Sequence, residues 1–121
     1  VYDLTTFMGE GNAWRLVPDH FGGYPWQKET KALLDAESPL TYVDKIKTPL
    51  LIIHGDVDLR TGVIQSEMLY KSLKILNKPV EYIRYPKEGH ELTRSGNPGR
   101  MMDHMLRVIE FFERYAKHPE K

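Results

Sequence analysis

The sequence predicts an α/β fold in which two parallel strands are joined by a crossover helix. Three observations carry this expectation. Leu50 to His54 is a short, continuously apolar run ended by Gly55, as in a strand covered on both faces. Gly62 to Leu76 then places Val63, Ile64, Met68, Leu69, Leu73 and Leu76 at helical spacing. Val80 to Tyr85 reads as a second strand. With a last amphipathic helix behind it, the order strand, helix, strand, helix calls for parallel pairing and a right-handed crossover.

The elements follow in order. Residues 1–38 are rich in glycine and aromatic residues and lack a clean period. Pro18, Gly22-Gly23 and Pro25 punctuate them. Two or three short helices are expected there, with Gln27 to Ala36 the best candidate. The composition changes near Pro39, and Thr48-Pro49 leads into the first strand. Asn77 is an acceptable left-handed stop for the crossover helix, and Pro79 cannot continue it. Pro86 to Gly99 is expected to be a polar loop. Met101, Met102, Met105, Leu106, Val108, Ile109 and Phe112 mark the last helix, ending near Tyr115, with the methionines packing on a helix face. The chain is therefore read as one unit, 1–121, with an irregular helical part over 1–38 and the strand-helix-strand-helix part over 39–121.

Composition narrows the function classes. The 121 residues suit one domain or part of a larger one. Lys plus Arg is 17 and Asp plus Glu is 17, so no nucleic-acid partner is indicated by net charge. Lys71, Lys74 and Lys78 read as a solvated helix face. There is no cysteine, which excludes disulfides, Cys-based zinc sites and a thiol nucleophile, and is compatible with a cytoplasmic location. The longest compact apolar run is Leu50 to Ile53, far short of the roughly 20 residues a membrane helix needs. The chain opens on Val1 with Tyr2, Leu4, Phe7 and Met8 close by, which suggests the end of a longer protein.

In open α/β sheets a ligand lies beyond the carboxyl ends of the strands. Two loops leave such ends: His54 to Arg60, and Lys87 to Glu91. Asp58 and His90 are 90 − 58 = 32 positions apart in sequence, but adjacent parallel strands are about 4.8 Å apart, so the two can meet in space. An Asp that accepts from one imidazole nitrogen leaves the other free to take a proton from a hydroxyl. Asp56 is the competing acid in the same loop. His54 is expected to be structural, hydrogen-bonding the loop it starts. Arg60 is expected to brace the acid loop, and Glu88 and Glu91 to be solvated loop charges. Trp26 and Tyr24 are read equally as a pocket wall or core packing. His20, His104 and His118 are read as surface residues without metal spacing, so no metal site is expected.

Asp followed by His, each after a strand, is the second half of the Ser, Asp, His chain order of α/β-hydrolases, a known pattern matched here. No Gly-x-Ser-x-Gly elbow is present. The serines are Ser38, Ser66, Ser72 and Ser95, none of them between glycines at that spacing. The stretch from Ser38 to Tyr115 resembles the C-terminal end of a prolyl-oligopeptidase-family serine peptidase of the acylaminoacyl-peptidase-like branch. The residues that carry the likeness are Ser38-Pro39-Leu40, Thr48 to Gly55, Asp58-x-Arg60, Glu88-Gly89-His90-Glu91-Leu92 and Phe111 to Tyr115. Gly22-Gly23-Tyr24-Pro25-Trp26 resembles a further segment common in that branch. Gly62 departs from the pattern, where many relatives carry Pro, and is expected to loosen the helix entry. The resemblance implies the C-terminal portion of an α/β-hydrolase catalytic domain. It also implies an upstream nucleophile, Asp58 and His90 as triad members, a short peptide substrate and no cofactor. A carboxylesterase on the same fold and a non-catalytic assembly fragment are the alternatives. The expected partners are the remainder of the parent catalytic domain and, for the isolated fragment, further copies of itself.

Overall fold

The computed structural model describes residues 1–116. The first 38 residues form three helices, α1 (Leu4–Glu10), α2 (Leu16–Phe21) and α3 (Lys28–Glu37). The Asp3 carboxylate caps α1 by accepting from the Thr6 N–H at 3.1 Å. Gly22 ends α2 in left-handed backbone, φ 70°, where glycine carries no steric penalty. A 3-10 stretch, Pro39–Lys45, follows α3. Then come β1 (Leu50–Gly55), α4 (Ile64–Ile75), β2 (Val80–Tyr85), the single-turn α5 (Leu92–Ser95) and α6 (Pro98–Ala116). None of the described helices is long and apolar enough to cross a membrane.

β1 and β2 pair in parallel, from Leu50 opposite Val80 to Gly55 opposite Tyr85, with α4 as the crossover. Alternation along the strands puts Leu50, Ile52, Val80 and Tyr82 on one face. There Ile52, Leu69 and Leu73 form a buried cluster that also gathers Tyr2, Leu40 and Val43. Tyr85 belongs to the other face, is buried, and donates its hydroxyl to Asp103 of α6 at 2.6 Å. Burial, then the Asp103 carboxylate, pushes the Tyr85 hydroxyl up to about 12, so it remains a donor at neutral pH.

Burial on both faces of β1 is only partly realised. Ile52 and Gly55 are buried, and Leu50, Leu51, Ile53 and His54 are half-buried. The last helix, α6, is open as well. Phe111 is its one buried residue among those described. Met102, Met105, Leu106, Ile109 and Phe112 are all more than half exposed, so the expected packing of Met102 and Met105 does not occur among the described residues.

Asn77 does end α4 in left-handed backbone, φ 54°. Its N–H reaches the Lys74 carbonyl and that of Lys78 reaches Leu73, a Schellman arrangement. Lys78 is not merely solvated. Its ammonium donates to the Asp44 and Ile46 carbonyls and ties the helix end to the 3-10 stretch. The expected loop over 86–99 contains α5, held by buried Leu92, and the first residues of α6. Pro98 starts α6, where its missing N–H costs nothing.

Two buried polar side chains fasten the N-terminal part. The Gln65 carbonyl oxygen accepts from the Tyr2 and Asp3 N–H groups at 2.7 and 2.8 Å, and its amide donates to the Asp3 carbonyl at 2.9 Å. Ser38 Oγ accepts from the Leu4 N–H at 2.9 Å and donates to the Leu34 carbonyl at 2.6 Å.

Leu73 is 1% exposed at the centre of the α4 interface. Leu73→Ala should cost about 2–5 kcal/mol in denaturant unfolding of the intact protein. A loss below about 1 kcal/mol would show that this interface is not a closed core.

Candidate active site

The two strands end side by side, and their loops stay in contact past the last ladder pair. The Asp56 N–H donates to the Tyr85 carbonyl at 2.9 Å and the Val57 N–H to the Glu88 carbonyl at 3.0 Å. Gly55 permits this approach, since a β-carbon there would run into the Glu88 and Gly89 carbonyls. The return from β2 turns at Pro86-Lys87, where Lys87 takes φ 63°, a conformation uncommon for a residue with a side chain.

Asp58 sits in the first loop with its side chain only 6% exposed. Its Oδ1 accepts from the Arg60 and Thr61 N–H groups, each at 2.9 Å, which closes an Asx turn. Its Oδ2 faces His90 Nδ1 at 3.0 Å, Thr61 Oγ1 at 3.2 Å and His54 Nε2 at 3.3 Å. Burial pushes the Asp58 carboxyl up, but the Thr61, His90 and Arg60 donors together outweigh it and hold the carboxyl below its ordinary value. An ionised carboxylate can only accept, so His90 Nδ1 carries the proton and Nε2 is left as the base. The His90 side chain is 43% exposed, which leaves its base nitrogen open to an approaching group.

His54 fills its expected structural role and one more. Its Nε2 lies 2.9 Å from the Thr61 carbonyl, which can only accept, so that nitrogen carries the hydrogen. In the neutral ring, Nδ1 then accepts from Ser66 Oγ at 2.6 Å. The contact with Asp58 places a second imidazole beside the acid, which the sequence did not suggest. Asp56 pairs instead with Arg84, which also holds Glu67 at 3.0 Å. Arg60 braces the acid through its main-chain N–H, while its side chain borders an apolar cavity.

Glu88 corrects the expectation of a solvated charge. It is 5% exposed and accepts from the Asn97 N–H at 3.1 Å and from the Arg100 guanidinium at 2.7 Å. Arg100 and Asn97 hold its carboxyl below the ordinary value. The His90 loop is thereby locked to the start of α6. Depressed carboxyls such as Glu88 and Asp58 stabilise the fold above the ordinary carboxylate range, and the contribution is lost as pH falls through their folded values. Glu91 is exposed and pairs with Arg94, as expected of a solvated charge.

Two cavities adjoin His90. One, of about 290 Å³, is lined by His54, Asp58, Thr61, Gln65, His90 and His104. His104 is therefore half-buried in a site wall rather than on the open surface. The other, of about 400 Å³, is walled by Leu4, Phe7, Leu16, Val17 and Phe21, with His90 at its edge. These apolar walls come from the aperiodic part of the sequence. Only Leu4 and Phe7 among them belong to the apolar crowding near Val1 that the sequence shows, and that crowding suggests the end of a longer protein rather than a cavity. His20 is exposed beside this cavity, and His118 lies outside the described residues. Tyr24 and Trp26 stack at 4.6 Å with Trp26 74% exposed, so they form neither core nor the wall of either cavity. Among the described residues no group of three or more His, Asp or Glu side chains could hold a metal ion.

Residues 1–119 match the family model described as Prolyl oligopeptidase family. The chain belongs to this family. A family relative, an uncharacterized peptidase of Bacillus subtilis, is 33% identical over 102 residues, 84% of this chain and 14% of that protein. The structure of Pyrococcus horikoshii acylaminoacyl peptidase superposes with a TM-score of 0.84 at 31% identity, over 94% of this chain and 18% of the other. An acylaminoacyl peptidase in complex with Z-Gly-Gly-Phe-chloromethyl ketone gives 0.83 at 31% identity, over 93% of this chain and 18% of that one. The α/β-hydrolase expectation therefore holds. The chain spans less than a fifth of each of these relatives.

Gly62, at the entry to α4, has a close neighbour. It lies against Glu10, and a β-carbon there would strike the Glu10 carboxylate. At Gly55 the obstruction is backbone, which cannot swing aside. Gly55→Ala should therefore force the two loops apart and cost about 1–3 kcal/mol. An unchanged thermal midpoint for that variant would show that the loops are not tightly joined.

Proposed function

We propose that this chain is the C-terminal part, over 1–121, of the catalytic domain of a serine peptidase that cleaves short peptides. The observation that carries the reading is the Asp58–His90 contact at 3.0 Å, at the ends of adjacent parallel strands, in a chain of the prolyl oligopeptidase family. In this reading His90 Nε2 takes the proton from a serine hydroxyl as it attacks the scissile carbonyl, then returns it to the leaving amine. Asp58 holds the ring and stabilises the imidazolium. The serine comes from outside these 121 residues, which contain no Gly-x-Ser-x-Gly.

The apolar cavity beside His90 suits an apolar side chain next to the cleaved bond. The peptidyl-Phe chloromethyl ketone bound to a solved relative supports a substrate of that class. Ester hydrolysis would use the same pair, and the ratio of peptide to ester turnover in the intact protein separates the two activities.

In the intact protein, His90→Ala should lower turnover by about a thousandfold or more, through loss of the general base. A loss under about tenfold would rule His90 out as the base.

The isolated chain should hydrolyse neither peptides nor activated esters above solvent controls, because no nucleophile accompanies the pair. It should also associate. β1 has one edge unpaired by any strand among the described residues, and α6 exposes an apolar face. Sedimentation at micromolar concentration checks this, and a stable folded monomer would count against it.

A further inference from the structure

Thr61 touches both members of the acid–base pair and His54 beside them. Its N–H donates to Asp58 Oδ1 at 2.9 Å, and its carbonyl accepts from His54 Nε2 at 2.9 Å. Its hydroxyl lies 3.2 Å from Asp58 Oδ2 and 3.3 Å from His90 Nδ1. The carboxylate offers only lone pairs, so the hydroxyl hydrogen points to Oδ2. The hydroxyl lone pairs then face the His90 Nδ1–H, which is shared between Oδ2 at 3.0 Å and Oγ1 at 3.3 Å.

We propose that Thr61 is a positioning residue whose hydroxyl orients Asp58 Oδ2 toward His90 and moderates the pull of that oxygen on the imidazole. The proposal rests on the acid–base reading of Asp58 and His90. Two effects follow from the geometry. The hydroxyl hydrogen withdraws charge from Oδ2, and the hydroxyl oxygen takes a share of the Nδ1–H. Removing the hydroxyl leaves Oδ2 a stronger partner for the ring, which favours the protonated imidazole. The neutral base is then present only at higher pH. Oδ2 also loses one of the three contacts that aim it.

Among the described residues, the other charged or titratable groups around the pair are the amino-terminal residue Val1, His20 from α2, His54 from β1, Arg60 from the acid loop, Glu91 from the His90 loop and His104 from α6. Glu10 of α1 acts on His54 behind them. Thr61→Val keeps all of these and the shape of the side chain, so a change in the pH profile reports the hydroxyl itself.

The test uses the intact protein and a chromogenic N-acyl peptide with an apolar residue at the cleaved bond. The variants are T61V, T61S and H90A, read by kcat and KM across pH and by thermal midpoint. T61V should lower kcat about three- to tenfold with KM unchanged, the size of one lost hydrogen bond. Its acid limb should move up by about 0.3–0.6 pH unit, and T61S should restore both. A T61V profile that overlays the wild type, with H90A inactive, would overturn the role of Thr61 alone. So would a T61S variant that behaves as T61V does. Near-wild-type turnover in H90A would overturn the acid–base reading, and this proposal with it. Should T61V fail to fold, T61A supplies the same measurement against T61S.

Discussion

How close two parallel backbones can come at the ends of their strands governs this molecule. Ladder bonds hold β1 and β2 together through Gly55 and Tyr85. Beyond that pair, strands normally part. Here the Asp56 and Val57 N–H groups go on bonding to the second strand's loop, because Gly55 presents no β-carbon to the Glu88 and Gly89 carbonyls. Asp58 is thus delivered within reach of His90 by main-chain geometry, and the side chains need little adjustment to meet.

Each half of the pair is then secured from a different direction. The acid is held by its own Asx turn and by His54, whose tautomer is set by a carbonyl. The base is held through Glu88, buried against Arg100 and the Asn97 N–H at the start of α6. The last helix thereby anchors the His90 loop. Charge-assisted bonds to a buried carboxylate are stronger than neutral ones and fix direction as well as distance. The Lys87 backbone, at φ 63°, is tolerated inside that framework.

The N-terminal helices reach the site by polar contacts rather than by sheet packing. Gln65 grips the Tyr2 and Asp3 main chain, and Ser38 grips Leu4 and Leu34. Once so placed, Leu4, Phe7, Leu16, Val17 and Phe21 form an apolar cavity against His90. Among the described residues, the Met102 to Phe112 face of α6 is uncovered and one edge of β1 has no strand beside it. A core that is closed around α4 and open around α6 is consistent with a chain that covers 18% of its structural relatives.

The sequence by itself determined β1, α4, β2 and the body of α6, though not α5, and the loops that carry Asp58 and His90. Those features are periodic or local. An apolar run, a helical spacing and an Asn stop each reflect the conformation of neighbouring residues. Parallel order then follows from the crossover, and the meeting of Asp58 with His90 follows from the order. The tertiary structure alone decided the rest. Glu88 reads as a loop charge until Arg100 and Asn97 arrive beside it. Thr61 and Gln65 carry no pattern at all, although each makes several of the bonds that shape the site. The apolar cavity is assembled from two short helices without usable periodicity. A buried polar contact depends on one donor and one acceptor brought together from distant parts of the chain. It repeats at no interval, so no spacing in the sequence records it.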